Sequence, residues 1–175
     1  DEDDKTYSGT GIAKVEANLN LSASYKGFDF SAVIGSAFGN KIYNGIRYYY
    51  EGMNSASNFL SSTLDAWTPT HTNTSVPRAI YGDPNDNTRE STRFLENGDF
   101  VRLRQVQLGY TLPTSLVKKN YCDRIRFYVS AENVFTITGY SGANPEFSMG
   151  VLNSGIDRFT YPFSRSYTVG AQISF

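Results

Sequence analysis

Few side chains in this sequence are of the kinds that break or make bonds, and they do not gather. The one histidine, His71, lies in Thr70-His-Thr-Asn-Thr74 with no Cys, Asp or Glu at metal-ligand spacing, and reads as a solvated loop residue. Cys122 stands near Lys118, Lys119 and Arg124, cations of the kind that lower a thiol's pKa. It has no partner for nucleophilic chemistry and reads as a turn cysteine; as the only Cys it excludes an intrachain disulfide. Asp83 and Asp86, with Asn85 and Asn87, offer oxygen ligands for Ca²⁺, but the distal bidentate Glu of a full calcium loop is missing. There is no nucleophilic triad and no phosphate-binding glycine loop. The chain reads as a non-enzyme, with that Ca²⁺ cluster its only candidate cofactor site.

Binding chemistry is better represented. Tyr48 and Tyr49, in a run with Tyr50, and Trp67 and Tyr81 carry aromatic faces that stack on sugar rings or peptide side chains. Arg78 and Arg89 add directed hydrogen bonds. These six residues are the candidates for contact with a substrate or with a protein that lids it. The plainer alternative is that the aromatics pack their own segment together.

The elements that must position them are strands. Val15, Ala17, Leu19, Leu21, Ala23 and Tyr25 alternate with Glu16, Asn18, Asn20, Ser22, Ser24 and Lys26. A two-residue period makes a strand with one apolar and one polar face. Lys26-Gly27 is a turn, and Phe28, Phe30, Ala32, Ile34 and Phe38 continue the apolar face, with Val33 and Ser36 out of phase. Phe100 to Leu112 forms a third strand, in which Leu103 breaks phase with Val106, Leu108 and Tyr110; a β-bulge near Arg104-Gln105 accounts for it. Ile125, Phe127, Val129 and Ala131 oppose Arg126, Tyr128, Ser130 and Glu132 in a fourth strand. Tyr167, Val169, Ala171, Ile173 and Phe175 form the apolar face of a fifth.

The terminal strand, Tyr167–Phe175, has about the ~9–11 residues that cross a bilayer at a tilt. The connections run short, long, short, long, with long segments at about 39–98 and 139–165 and a short helix expected near Ser55–Leu64. Outer-membrane barrels sort their loops in this way, with short periplasmic turns and long extracellular loops. The expected class is therefore all-β, an antiparallel transmembrane β-barrel segment, with residues 1–14 a lead-in and 15–175 the strands and loops. Five strands do not close a barrel, so the segment either belongs to a larger chain or completes a partner chain. Tyr25, Phe28, Phe38, Phe100 and Tyr110 are expected as interface aromatics at the strand ends. Tyr167, Val169, Ile173 and Phe175 are expected to close the barrel and, through the final aromatic, to signal assembly.

Composition is consistent with this reading. Tyr 13, Phe 12 and Gly 15 in 175 residues suit a barrel, and equally a secreted, Tyr-rich β-sandwich that binds glycans. A net charge of −1 gives no reason to expect nucleic acid as partner. The acidic start, Asp1-Glu2-Asp3-Asp4, is not a signal peptide, as expected of a mature or truncated product.

Several motifs, in order along the chain, resemble SusC-type (SusC/RagA-like) TonB-dependent transporters. They are Tyr25-Lys-Gly-Phe-Asp-Phe30, Ile42-Tyr-Asn-Gly45, Trp67-Thr-Pro69, Val76-Pro-Arg78 and Arg93-Phe94. The most specific block, Asn97-Gly-Asp-Phe-Val-Arg-Leu-Arg-Gln-Val-Gln-Leu-Gly-Tyr-Thr-Leu-Pro113, follows. Ser130-Ala-Glu-Asn-Val-Phe-Thr-Ile-Thr138, Tyr140-Ser-Gly142, Asn144-Pro-Glu146 and Ile173-Ser-Phe175 complete the set. The resemblance implies the C-terminal portion of a plugged barrel of roughly 22 strands in the bacterial outer membrane. It also implies import of oligosaccharides or peptides, a SusD-like surface lipoprotein as lid, and energy delivered through TonB. This chain lacks the plug, the TonB-contacting segment and most of the strands, so transport is expected only of the assembled whole.

Overall fold

A computed structural model describes residues 4–117, 122–147, 150 and 153–175. The chain divides into two compact units, each built from several stretches of sequence. Its elements in order are β1 (Val15–Tyr25), β2 (Phe28–Phe38), β3 (Lys41–Asn44), α1 (Gly45–Tyr50), β4 (Leu95–Asn97) and β5 (Phe100–Thr111). They continue with α2 (Thr114–Val117), β6 (Arg124–Thr138), β7 (Ile156–Asp157) and β8 (Ser166–Ser174), and two 3₁₀ turns cover Ser61–Asp65 and Thr92–Phe94.

The first unit (Ala13–Gly39, Asp99–Gly139, Pro162–Phe175) is an antiparallel sheet in the order β1-β2-β5-β6-β8. Its strands pair in the order in which they occur along the chain. β1 and β2 are joined by Lys26 and Gly27, at φ 46° and 88°. Positive φ at both central residues is the twist-matched two-residue hairpin turn, which glycine adopts freely and lysine at some cost. From that turn the register runs without interruption from Tyr25↔Phe28 to Val15↔Phe38.

The expected bulge is present and lies at Arg104. On the β2 side, pairing jumps from Val33↔Gln105 to Ile34↔Leu103. On the β6 side it jumps from Gln105↔Glu132 to Leu103↔Phe135, with Asn133 at φ 50°. The bulge restores phase, so Val101 and Leu103 share a face with Val106, Leu108 and Tyr110. It also corrects one expectation. Phe100 pairs with Ala37 and falls on the polar face, where it is 6% exposed and the Arg102 guanidinium lies over its ring. Phe100 is therefore not an outward interface aromatic.

The apolar face is open. Leu19, Phe28, Leu108, Phe127, Val129, Ile137 and Val169 are among its exposed side chains, and Val169 is 83% exposed. The opposite face is polar and tied together. Arg126 donates to both carboxylate oxygens of Asp29 and to Gln172 Oε1, linking β2, β6 and β8. Arg102 donates to Thr136 Oγ1 at 2.8 Å and lies between the rings of Phe100 and Phe163. Both arginines are buried.

The second unit (Asp1–Ile12, Asn40–Gly98, Tyr140–Tyr161) contains most of the two long connections, whose sequence shows no sustained alternation. They hold a small sheet in the order β4-β3-β7, antiparallel on one side of β3 and parallel on the other. The helix expected near Ser55–Leu64 is displaced. The α-helix lies earlier, at Gly45–Tyr50, and only a 3₁₀ turn forms at Ser61–Asp65. Phe94 and Ile42 are its largest buried apolar side chains.

Candidate functional site

In the second unit, charged side chains converge around the start of α1. Asn44 caps the helix, its Oδ1 accepting from the Arg47 amide at 3.1 Å, and its Nδ2 donates to Glu96 Oε1 and Ser141 Oγ. Arg47 makes paired 3.1 Å bonds to both oxygens of Glu51 and a third to Glu96 Oε1. Glu51 also accepts from Ser62 Oγ, and Arg93 stands 3.5 Å from it. Glu96 accepts from the Ser141 amide and hydroxyl. Burial disfavours ionisation of Glu96, but the Ser141 donors, Arg47 and Asn44 outweigh it and hold the carboxyl below its usual value. Glu51 behaves in the same way: burial is outweighed by Arg47, Ser62 and Arg93.

Tyr140 extends this buried polar core. Its hydroxyl donates to Asp157 Oδ2 at 2.6 Å, and the Thr160 amide donates to Asp157 Oδ1. Burial first, then the Asp157 carboxylate, pushes the Tyr140 phenol upward. The network therefore ties segment 40–98 to segment 140–161, and its chemistry is structural, because each carboxylate oxygen is occupied by protein donors.

Beside it lies a cleft of about 220 Å³ lined by Tyr43, Tyr48, Tyr49, Glu90, Ile156 and Arg158. Tyr48 meets Tyr49 and Phe94 edge-on at 5.2 and 5.5 Å. Tyr49 is 57% exposed, with Phe159 tilted against it at 5.5 Å. The Tyr43 hydroxyl is buried and finds no hydrogen-bond partner among the described residues. Burial, then Glu90, Tyr48 and Tyr49, push its phenol up to about 12, so it remains a neutral donor. A wider, more open cavity of about 810 Å³ shares Tyr43 and Glu90 and is lined by Thr6, Ser8, Arg89, Ser91 and Thr92 among others.

The six ligand-contact candidates therefore separate. Tyr48 and Tyr49 line the smaller cleft and Arg89 the larger cavity. Trp67 is half-buried, its amide donating to the Val76 carbonyl, and Arg78 and Tyr81 are exposed. None of these last three is among the described lining residues of either cavity. Of the interface aromatics, Tyr25, Phe28, Phe38 and Tyr110 fall on the apolar face of the sheet, Phe28 against Tyr110 at 4.5 Å. Tyr167, Val169 and Ile173 project from β8 onto that same face, and Phe175, just beyond the strand, is 86% exposed.

His71 has a partner the sequence reading missed. Its Nε2 lies 2.7 Å from Asp65 Oδ1, and Thr74 donates to the other oxygen. The Asp83 carboxylate is occupied by the amides of Asn87 and Thr88 and the Thr88 hydroxyl, which makes it a turn-former. Lys118 and Lys119, read as neighbours of Cys122, lie outside the described residues.

No family model matches the chain. It is 31% identical over 179 residues to the TonB-dependent receptor P3 of Formosa agariphila, covering 98% of this chain. It is 27% identical over 176 residues to the TonB-dependent receptor SusC of Bacteroides thetaiotaomicron, covering 100% of this chain. The RagAB peptide importer in its closed-closed state superposes with a TM-score of 0.82 at 30% identity over 97% of this chain. The chain is homologous to one segment of the SusC-type TonB-dependent receptors. It spans only 17% of the length of P3, 16% of SusC and 18% of the matched RagAB chain. The open-open state of RagAB superposes with a TM-score of 0.78 at 31% identity.

In this structure the quoted motifs acquire structural roles. Asn44 and Gly45 start α1, Arg93-Phe94 supplies a partner for Glu51 and a core ring, and Tyr140 and Ser141 close the polar network. Asp99 accepts from the Gly39 amide at 2.6 Å, at the end of β2. Asn144 Oδ1 accepts from the Glu146 amide across Pro145, and its Nδ2 donates to the Glu146 carbonyl. The network residues Arg47, Glu51 and Glu96 and the cleft residues Tyr43, Glu90 and Arg158 escaped sequence reasoning. The only sequence signal was Asn44 before a helix start.

Proposed function

We propose that this chain is the C-terminal portion of the barrel of a TonB-dependent outer-membrane importer of oligosaccharides or peptides, a transporter segment and not an enzyme. The observation that carries this reading is the two-faced sheet: one face apolar and exposed, the other polar and cross-linked by buried arginines. A lipid-facing exterior and a polar interior are what a membrane barrel requires of each strand. The soluble-sandwich alternative asks for a second sheet against Leu19, Leu108 and Val129, and those side chains stand exposed.

In this reading the short turns lie in the periplasm and the long segments outside, below a SusD-like lipoprotein. The strands β1 and β8 pair with the rest of the barrel, which also encloses the plug. TonB engages the part of the transporter that precedes this chain, and outer-membrane lipid surrounds the apolar face. Tyr167, Val169, Ile173 and Phe175 close the barrel. No resident cofactor enters the reading.

The test is the intact mass, under denaturing conditions, of the polypeptide from native outer membranes that carries this sequence. The expected species lies far above 19.5 kDa. A species at 19.5 kDa that co-purifies with a larger barrel protein would instead mean a transporter assembled from two chains. A species that stays soluble without detergent would overturn the proposal.

A further inference from the structure

We propose that Asn133 positions the last strand, β8, by hooking the chain just before it, and so fixes which residues that strand presents at the edge of the sheet. The importer reading supplies only the setting, in which that edge meets the strand that closes the barrel; the register itself belongs to this sheet. The need for such a device follows from connectivity. β1 and β2 are aligned by a two-residue turn, and turn geometry sets hairpin register. β6 and β8 are joined through residues 139–165, and a connection of that length dictates no register.

Alternation narrows the choice without completing it. A slip of one residue would turn Val169 and Ile173 to the polar face, and Thr168 and Gln172 to the apolar one. A slip of two keeps every side chain on its own face, so other contacts must oppose it. Two do so inside the ladder. Tyr128 faces Gly170, and its ring lies so close that a β-carbon there would stand 2.5 Å from Cζ. A slip of two would put Thr168 or Gln172 under that ring. Arg126 donates to Gln172, its direct partner, at 3.2 Å.

Asn133 acts where the ladder stops. The last pair is Glu132↔Ser166, and β6 then bulges, with Asn133 at φ 50°. Asparagine tolerates that left-handed conformation better than most residues. From there its Nδ2 donates to the Ser164 carbonyl at 3.0 Å, two residues before β8 begins. A side-chain bond thus stands beyond the point where the bulge ends the backbone rungs.

The experiment reads register by disulfide formation in the full-length transporter that contains this segment, with its native cysteines replaced. Directly opposed strand residues have Cα atoms ~4.5–5.5 Å apart, within disulfide range, whereas residues two places off stand at ~7–8 Å, beyond it. Val129→Cys is paired with Val169→Cys for the observed register, and with Tyr167→Cys or Ala171→Cys for the two slipped ones. The in-register bridge should dominate in the parent. Asn133→Gly keeps the backbone conformation, and Asn133→Asp keeps the shape but not the donor. Each should lower the ratio of in-register to slipped bridges about fivefold, the effect of one ordinary hydrogen bond. An unchanged ratio in both variants would overturn the inference, as would a slipped bridge dominating in the parent. A ratio that falls in Asn133→Ala but not in Asn133→Gly would assign the effect to backbone conformation and overturn the hook. The bridges are read in whichever cell fraction holds the protein, so its location tests the importer reading and the ratio tests Asn133 separately.

Discussion

At the residue scale, the second unit depends on a few buried charges whose partners come from distant parts of the sequence. Glu96 receives Arg47, Asn44 and Ser141, which are 49, 52 and 45 residues away. Glu96→Gln removes the charge opposite Arg47 while leaving one acceptor, and should lower the local opening free energy by about 1–3 kcal/mol. Hydrogen exchange of the amides of Ile42, Arg47 and Ser141 in the full transporter reads this directly; unchanged protection would mean the network contributes nothing to local stability. The same carboxylates set an acid limit. Glu51 and Glu96 both sit below their ordinary value of 4.5 when folded. Their contribution is therefore fully present above about pH 4.5 and lost as pH falls through the lower folded values. Protection of this unit should fall below pH 4.5 and hold steady between pH 5 and 8, and loss of protection already at pH 6 would contradict the assignment.

At the element scale, periodicity and capping explain what forms. α1 has six residues, too few to stand alone in water, so its cap and the Arg47–Glu51 pair must hold it in place. Asn44→Ala should cost about 1 kcal/mol or more, since it removes both the cap and two donor bonds from the polar network. Exchange of the Arg47 amide is the readout. The strands follow a different logic. Leu19 and Leu21 lie on the exposed apolar face of β1. If that face meets lipid near the bilayer midplane, Arg at either position should cost ~2–4 kcal/mol of folding into vesicles. A near-zero change at both would argue against a membrane-facing surface. The bulge at Arg104 belongs to this scale as well, because one extra residue decides which way Phe100 points.

At the scale of the whole molecule, the sheet of described residues has two unpaired edges and one uncovered apolar face, features that water-soluble domains usually blunt or cover. The proposed setting removes both liabilities, since neighbouring strands pair the edges and lipid covers the face. The intact transporter should accordingly lose solubility when detergent is diluted below its micelle concentration, as light scattering would report. Persistence of a monodisperse species would count against that setting.

The five long strands were legible because a period of two needs only the order of residues. The polar side of each strand, from Glu16, Asn18 and Asn20 to Arg126 and Tyr128, could be read in the same way. Leu103 out of phase even locates the bulge, and carrying that shift through it turns Phe100 to the polar face beside Ala37. The turn at Lys26-Gly27 was local and therefore readable. The second unit was not readable, because its order comes from pairings such as Tyr140 with Asp157 and Asn44 with Ser141, made across long separations by residues with no common period. The tyrosine cleft has the same origin. Tyr48 and Tyr49 were visible as aromatics, but that Glu90, from the irregular stretch before Thr92, and Arg158, just beyond β7, join them is decided only by tertiary packing. Alternation along the chain determined which residues face which way; only tertiary packing, which brings distant polar groups within hydrogen-bond reach, decided what they face.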